Sequence, residues 1–507
     1  MSQSAGRLIH RIGGAIAVVL VIAFVGTGVH AAAARHDDLH TALSFVLAAV
    51  STVAAVLQLH KPSYRTIRET GRTVVAVFAA VLLVMSIPAI WVLTTPPTIK
   101  IGVSLPLTGG NLPDALPILR SVRLVVDKVN DETPIGNHRI EAVPFDDSRV
   151  EDSIRFADDD GKLERGTHEL DDVIDDAQVA GIVGPFTSGA ALTEIPAVNE
   201  AGMALISHST TLHCLTSARC NEAPANSRRT FFRLVVSDDV RTRELVRRLS
   251  PQLDPGRRAP GRAGATAEPR VIVFTDATPF GDGFAEEFIS AWTTAGGEPP
   301  KRAVARMHAG VLGARREPPA LVVFAGTGTD GLTVYRYLQR QPKRFAGTMF
   351  AGSGTITNGA FTRSMQRLEP VGRLYAIAPV PSDETPDVTD FASTYISRYQ
   401  QDLTPYCVTA ADATTALLMA VRAAAERVRP PSSSWDPLSK HQAKAFRAAV
   451  VHNLRLLNRS ADMTFPMLTG ATRFDTKGDV VHEGPESDRV SLYSWNDRDK
   501  AWRLSRE

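Results

Sequence analysis

The stretch GIVGPFTSGAALTEIPAVNEAGMALISHSTT at residues 181–211 decides the fold of this chain. It opens on an apolar run, passes through a loop that contains Gly184 and Ser188, and continues as a segment of helical character. A second apolar run, MALIS, leads into the polar cluster SHSTT. Strand, helix and strand in this order predict a parallel β-α-β unit. The loop itself has three possible roles: a phosphate site, a nucleophilic serine, or a role that involves neither phosphate binding nor catalysis.

Enzyme signatures in this loop are weak. A phosphate-binding P-loop needs Gly-Lys-Ser/Thr, which the stretch lacks. A nucleophile elbow needs a glycine two residues before the serine, and Phe186 holds that position. His208 beside Ser209 invites a base–nucleophile interpretation, but the histidines do not cluster with a nucleophile, and a cleft-wall or loop residue is the preferred alternative. We therefore expect a protein that is not an enzyme and that carries no cofactor and no metal.

The same alternation of strand and helix continues along the rest of the chain. The segments that carry it include IKIGVSLPLTG, LPILRSVRLVVDKVNDE, HRIEAVPFDD, PRVIVFTDATPFG, DGFAEEFISAWTTAGG, PPALVVFAGTGTD and GTMFAGSG. This repetition predicts an α/β fold with two doubly wound lobes. Near the C-terminus, TGATRFDTKGDVVHEGPESDRVSLYSWND predicts antiparallel strands with a Lys-Gly turn.

Three long apolar runs lie in the first hundred residues, at about 12–34, 39–59 and 73–93. Each is free of Asp, Glu, Lys and Arg and has the length that a helix needs to cross a bilayer. A cleaved signal peptide is the alternative for the first run. Basic residues before the first run and between the second and third place those segments in the cytoplasm. We expect a multi-pass membrane anchor over residues 1–97 and an extracytoplasmic domain over residues 98–507.

Charge and cysteine content narrow the choice of partner and compartment. The chain has 56 Lys and Arg against 54 Asp and Glu, a net charge of +2, which argues against a nucleic-acid partner. Cys214 and Cys220 bracket LTSAR, a loop short enough to close with a disulfide outside the cytoplasm. Half of a zinc site with His213 is the alternative, but it lacks a second Cys/His pair. Cys407 is left over and is expected to be buried.

The ordered series IKIGVSLPLTGG, FDDS, GIVGPFTSGAALTEIPAVNEAGMALISHSTT, FFRLVVSDD and VIVFTDATPFGDGFAEEF resembles the leucine/isoleucine/valine-binding protein family. These are branched-chain amino-acid binding proteins of ABC transporters with the type I periplasmic-binding fold. The resemblance covers about residues 99–502 and implies two lobes, joined by three crossing segments, with the ligand between them. Lobe one would comprise about 98–232 and 378–465, and lobe two about 233–377 and 466–507.

The resemblance also implies the residues that contact ligand. Ser188 would hold the ligand carboxylate, Ser209 would offer its backbone carbonyl, and Thr211 would offer its hydroxyl and amide. The positions implied on both lobes are Ser188, Ser209, Thr211, Phe280, Thr327 and Ser353. Two physical arguments agree with it: these loops follow strands, where open α/β sheets bind ligands, and Ser188 precedes a helix, whose N-terminus favours an anion.

One departure from the family bears on the ligand. Amino-acid binders usually place an acid at the position of Ser353, where it pairs with the ligand ammonium. Asp114, Asp238 or Asp239 would have to compensate, with helix capping as the alternative role for the last two. We therefore expect an amino acid or a related carboxylate as the ligand.

The function that follows is solute capture by closure of two lobes. We expect a membrane-anchored extracytoplasmic binding protein that delivers its ligand to an ABC permease. The alternative is a ligand-sensing receptor that signals through a partner protein.

Overall fold

The computed structural model describes residues 96–148, 156–157, 163–164, 170–217, 227–253, 270–305, 310–326, 328–357, 359–378, 386–401, 403–432, 434, 437–457, 467–470, 473–481 and 490–505. Within this range Thr98–Glu507 forms one compact unit. The three predicted membrane spans at 12–34, 39–59 and 73–93 lie outside the described residues.

Lobe one is built on a five-stranded parallel sheet with the strand order β2-β1-β5-β6-β7. Its strands are β1 (Thr98–Leu105), β2 (Arg139–Asp146), β5 (Val179–Val183), β6 (Ala204–Ser207) and β7 (Phe231–Arg233). A separate antiparallel pair is formed by β3 (Phe156–Ala157) and β4 (Leu163–Glu164). Every residue of β5 and β6 is buried, because helices cover both faces of the sheet.

The helices of lobe one pack two cores against this sheet. They are α1 (Leu112–Glu132), α2 (Leu170–Asp175), α3 (Ser188–Ala201), α10 (Pro386–Tyr399), α11 (Pro405–Ala425) and α12 (Pro437–Leu456). Val183 points into the core that contains α1, α11 and α12, while its neighbour Ile182 points into the core that contains α3. This alternation follows from the two-residue period of a strand.

Lobe two is built on a seven-stranded sheet with the order β16-β15-β12-β11-β10-β8-β9. Its strands are β8 (Val271–Thr275), β9 (Lys301–Val304), β10 (Leu321–Ala325), β11 (Met349–Ser353), β12 (Arg373–Ala378), β15 (Ser491–Asn496) and β16 (Ala501–Leu504). β15 and β16 are antiparallel to their neighbours, and the other strands are parallel. Its helices are α4 (Asp238–Leu253), α5 (Pro279–Thr294), α6 (Val311–Ala314), α7 (Gly328–Gln339), α8 (Pro342–Phe345) and α9 (Gly359–Met365).

The chain passes between the lobes three times. It leaves lobe one after β7, returns after β12, and crosses again between β13 (Arg473–Phe474) and β14 (Val480–Val481). Phe474 packs in the core of lobe one, whereas Val480 packs in the core of lobe two. The prediction of two doubly wound α/β lobes is confirmed, as are the antiparallel strands at the Lys477–Gly478 turn.

One apolar helix and two of the cysteines bear on the membrane and disulfide predictions. The segment Tyr406–Ala425 is long and apolar enough to cross a membrane, but it is 78% buried and forms part of the lobe-one core. Cys407 on the same helix is free and buried, as predicted. Cys214 is disulfide-bonded, but Cys220 lies outside the described residues, so their pairing stays a prediction.

Candidate functional site

The start of α3 offers free hydrogen-bond donors at the edge of lobe one. Thr187 caps the helix, because its side chain accepts a hydrogen bond of 3.1 Å from the Ala190 N–H. The N–H groups of Ser188 and Gly189 precede that of Ala191, which donates to the Thr187 carbonyl, so they are available to a ligand. The Ser188 side chain is buried, and its Oγ accepts a 3.4 Å hydrogen bond from the Leu212 N–H. Its own hydroxyl hydrogen therefore remains available for a carboxylate.

Two acidic residues, the half-buried Asp147 and the buried Glu194, hold the loop before α3 in place. Asp147 accepts a 3.4 Å hydrogen bond from the Phe186 N–H. The hydroxyl of Ser104 lies 3.3 Å from Asp147 and donates to Glu194 of α3 over 2.6 Å. Burial raises the pKa of Asp147 to about 7. These contacts fix the loop to β1 and to the body of α3, which orients Ser188.

The next loop, after β6, carries Ser209 and Thr211 to the same edge. The Ser209 hydroxyl donates to the Phe186 carbonyl over 2.7 Å, which ties the two cleft loops together. The Thr211 carbonyl accepts from the Asp238 N–H over 2.8 Å, and its Oγ1 accepts from Arg241 over 2.9 Å. The structure thus brings Ser188, Ser209 and Thr211 together, with the Thr211 hydroxyl already bonded to lobe two.

The predicted residues of lobe two present fewer polar groups. Phe280 is the second residue of α5, and its half-buried ring lies 6.2 Å from that of Phe284. Ser353 is fully buried, and its hydroxyl lies 3.3 Å from the Gly326 carbonyl and 2.7 Å from the Thr355 hydroxyl. Both groups belong to lobe two, so the Ser353 hydroxyl is engaged within its own lobe. Thr327 lies outside the described residues.

The two walls of the cleft are in contact. The side chain of Leu212, from lobe one, packs so closely on Gly283 of α5 that a Cβ at position 283 would collide with it. His213 Nδ1 lies 2.9 Å from Asp239 and 3.8 Å from Glu287, both carboxylates of lobe two. These contacts describe a closed arrangement of the lobes.

A buried ion pair at the cleft was missed by the sequence reasoning. Arg241 and Asp238 are fully buried and lie 2.9 Å apart in the first turn of α4. Arg241 also donates to the Ile377 carbonyl over 3.2 Å and lies 5.1 Å from the centre of the Phe284 ring. Burial raises the pKa of Asp238, and the guanidinium opposes that rise. The signal was present, since the two residues are three apart on a predicted helix.

His208 is a neutral wall residue. Both ring nitrogens are buried without a hydrogen-bond partner in the described part of the chain, and burial lowers the pKa to about 3. Its ring centre lies 6.1 Å from that of Phe186, which in turn lies 6.0 Å from that of Tyr406. No bond links its ring to Ser209, which agrees with the cleft-wall alternative.

The three acids considered for a ligand ammonium are placed differently. Asp238 is bonded to Arg241, and Asp239 contacts His213 and Arg243. Asp114 lies in the first turn of α1, and no ion pair to it occurs among the described residues. Burial raises its pKa to about 6, and the charge of Arg363 in lobe two opposes the rise. Of these three acids, Asp114 is therefore the one whose carboxylate pairs with no cation in the described part of the chain.

Comparison with known proteins agrees with this architecture. The family model described as periplasmic binding protein matches residues 98–448. No curated protein sequence matches the chain.

Solved structures share the fold at low sequence identity. The branched-chain amino acid transporter substrate-binding protein of Streptococcus pneumoniae, in complex with isoleucine, is 18% identical with a TM-score of 0.57, over 80% of this chain and 99% of that one. An ABC transporter substrate-binding protein of Desulfitobacterium hafniense in complex with Leu is 17% identical, with a TM-score of 0.53, over 80% and 100%. A solute-binding protein of R. palustris in complex with benzoate is 15% identical, with a TM-score of 0.55, over 80% and 95%.

Proposed function

Since the chain belongs to the periplasmic binding protein family, we propose that it captures a small carboxylate between its two lobes. The family is a non-enzymatic class of solute-binding proteins. The observation that carries the proposal is the start of α3, which has the N–H groups of Ser188 and Gly189 and the Ser188 hydroxyl as donors. It lies beside lobe two, since a Cβ at Gly189 would be 3.9 Å from Pro279 of α5. A carboxylate is the group that such donors and the helix dipole favour.

The lobe-two wall supports a ligand with an apolar body. Phe280 supplies an aromatic surface, and the Ser353 hydroxyl is engaged with Gly326 and Thr355. Asp114 is the acid that remains for an ammonium group. We therefore propose an amino acid or a related monocarboxylate, the chemistry shared by the isoleucine, leucine and benzoate complexes of the similar proteins.

Delivery and location belong to the same proposal. Residues 1–97 would anchor the chain in the cell membrane through three helices, with the binding domain outside the cytoplasm. Delivery to an ABC permease would follow lobe closure, since closure changes the surface that both lobes offer to a partner. Two of the similar structures are named as ABC transporter proteins, which favours uptake over sensing.

Calorimetry of the full chain with a matched ligand set tests this function. We would titrate leucine, 4-methylpentanoate (leucine without its amino group), leucinamide (leucine without its carboxylate) and benzoate. We expect binding of the carboxylates and none of leucinamide, because the α3 donors need an anion. Binding of leucinamide as tight as that of leucine, or no binding by any of the four, would refute the proposed carboxylate site.

A further inference from the structure

A cavity in lobe two is lined mainly by arginines and by none of the predicted cleft residues. Its volume is about 420 Å³. Its lining residues are Arg336, Arg363, Ser364, Arg367 and Leu368. Arg336 lies in the last turn of α7, Arg363 in the last turn of α9, and Arg367 in the turn that follows α9. The ends of two helices that are separate in sequence thus bring three positive charges to one place. We call this the arginine cavity.

The three arginines of this cavity are among the arginines that pair with no carboxylate in the described part of the chain. Ion pairs within 4 Å are formed by Arg233, Arg241, Arg243, Arg247, Arg248, Arg302, Arg398 and Arg503. Arg336, Arg363 and Arg367 are exposed and form none with the described residues. The chain as a whole is nearly neutral, with a net charge of +2, so general basicity does not explain the cluster.

Like charges at one place repel each other, although water screens the repulsion between exposed side chains. Helix dipoles favour Arg336 and Arg363 at helix ends, but they do not require both side chains and Arg367 to face one cavity. Like charges four residues apart, as at positions 363 and 367, repel each other. The charge of Arg363 lowers the pKa of Asp114 in lobe one, although the two residues form no ion pair. A bound anion would remove this repulsion.

We propose that the arginine cavity binds a phosphate-class oxyanion, either inorganic phosphate or a phosphate group carried by an ester. Each guanidinium offers a planar fork of N–H donors that pairs with two oxygens of one anion. The Ser364 hydroxyl adds a further donor. Leu368 and the hydrocarbon stems of the arginines supply apolar lining, and the guanidinium groups supply the positive charge. Three guanidinium groups suit an anion of more than one negative charge better than the monocarboxylate proposed for the cleft.

Calorimetry of the full chain in a phosphate-free buffer of fixed ionic strength tests this site. The probes are inorganic phosphate, glycerol 3-phosphate as a monoester, glycerophosphoglycerol as the diester of a lipid headgroup, and acetate. We expect phosphate or one of its esters to bind and acetate not to bind. Tighter binding of the diester than of phosphate would assign the ligand to a lipid headgroup, and the reverse order would assign it to a free solute.

Variants at the cavity make the test specific. Arg363→Gln and Arg367→Gln should each weaken phosphate binding about tenfold, because each removes a charge-assisted hydrogen-bond donor set. Arg363→Lys, which keeps the charge but loses the fork, should give an intermediate affinity. The triple change Arg336→Gln, Arg363→Gln and Arg367→Gln should abolish binding while thermal unfolding stays unchanged, since all three side chains are exposed.

A matched control separates a site from general charge attraction. The triple change Arg316→Gln, Arg427→Gln and Arg498→Gln removes the same charge from exposed positions elsewhere and should leave phosphate affinity unchanged. The proposal is overturned if no phosphate probe binds, if the cavity triple variant binds like the unaltered chain, or if the control triple variant weakens binding equally.

Discussion

Arg233 and Arg241 are both about 1% exposed and both lie where the lobes join, yet their partners differ. Arg233, at the end of β7, bonds to Asp479 over 2.6 Å and to Thr216 over 2.8 Å. Asp479 belongs to the third crossing segment, so this cluster fastens one crossing segment to another. Arg241 belongs to lobe two instead, and it donates a hydrogen bond to Thr211 of lobe one at the cleft.

A hinged binding protein needs both stable connections between its lobes and contacts that form when the lobes close, and the two arginines differ in which of these they serve. The Arg233 cluster lies among the crossing segments, which we expect to stay together when the lobes open. The Arg241 contact spans the cleft and involves a residue predicted to contact ligand. We therefore expect changes at Arg233 to act mainly on stability and changes at Thr211 to act on closure.

The largest expected effect is the loss of the Arg233 cluster. Arg233→Met should lower the free energy of unfolding by about 3 kcal/mol, because removing one partner of a buried ion pair leaves the other uncompensated. The partial exposure of Asp479, 29% of its side chain, keeps the loss at the lower end of the usual range. Urea denaturation measures it.

An exposed ion pair serves as the control for that prediction. Arg503→Met breaks the ion pair with Asp499; the Arg503 side chain is 62% exposed and that of Asp499 39%. The change should lower the free energy of unfolding by less than about 1 kcal/mol. Equal losses for the two variants would contradict the idea that the Arg233 cluster secures the hinge.

The next effect in size concerns the bond across the cleft. Thr211→Val keeps the shape of the side chain but removes the acceptor that Arg241 uses, which should cost about 1–2 kcal/mol of unfolding free energy. Small-angle X-ray scattering should also show a larger radius of gyration, because a bond between the lobes is lost. Thr211→Ser, which retains the hydroxyl, should restore both values. An unchanged radius in Thr211→Val would show that this bond does not hold the lobes together.

The smallest effect is a pH dependence at Asp114. Burial raises the pKa of its carboxyl to about 6, so the group is ionised above that pH and neutral below it. If Asp114 meets the ligand ammonium, leucine affinity should fall severalfold more than benzoate affinity between about pH 7.5 and about pH 5.5, since any effect of Asp147 on the Ser188 loop acts on both ligands. Asp114→Asn should remove this excess fall for leucine. The same fall for both ligands would exclude this role.

The sequence predicts the strands and the two-lobe architecture of this protein better than it predicts the side-chain contacts of the cleft. Uninterrupted apolar runs such as those of β5 and β6 predict buried parallel strands, and the turn at Lys477–Gly478 predicts the antiparallel pair. The order of these segments was enough for two lobes, because short connections and right-handed crossovers leave few topologies open.

The details of the site depend on tertiary placement that no local pattern encodes. The Ser353 hydroxyl bonds to the Gly326 carbonyl, 27 residues away, so the sequence could not show that it is engaged. The Asp238–Arg241 pair has helical spacing, but its contact with Thr211 requires both lobes to be in place. The arginine cavity likewise combines side chains from two helices that are separate in sequence.

One comparison tests the central claim, that a carboxylate binds at the start of α3. Ser188→Ala and Ser353→Ala remove the same atom from opposite walls of the cleft, and calorimetry with the carboxylate that binds tightest reports on both. Ser188→Ala should weaken binding by about 1–3 kcal/mol, because its hydroxyl donates to a charged group. Ser353→Ala should change affinity little, because its hydroxyl is engaged with Gly326 and Thr355. Unchanged affinity in Ser188→Ala, or a larger loss in Ser353→Ala, would contradict this account of the cleft.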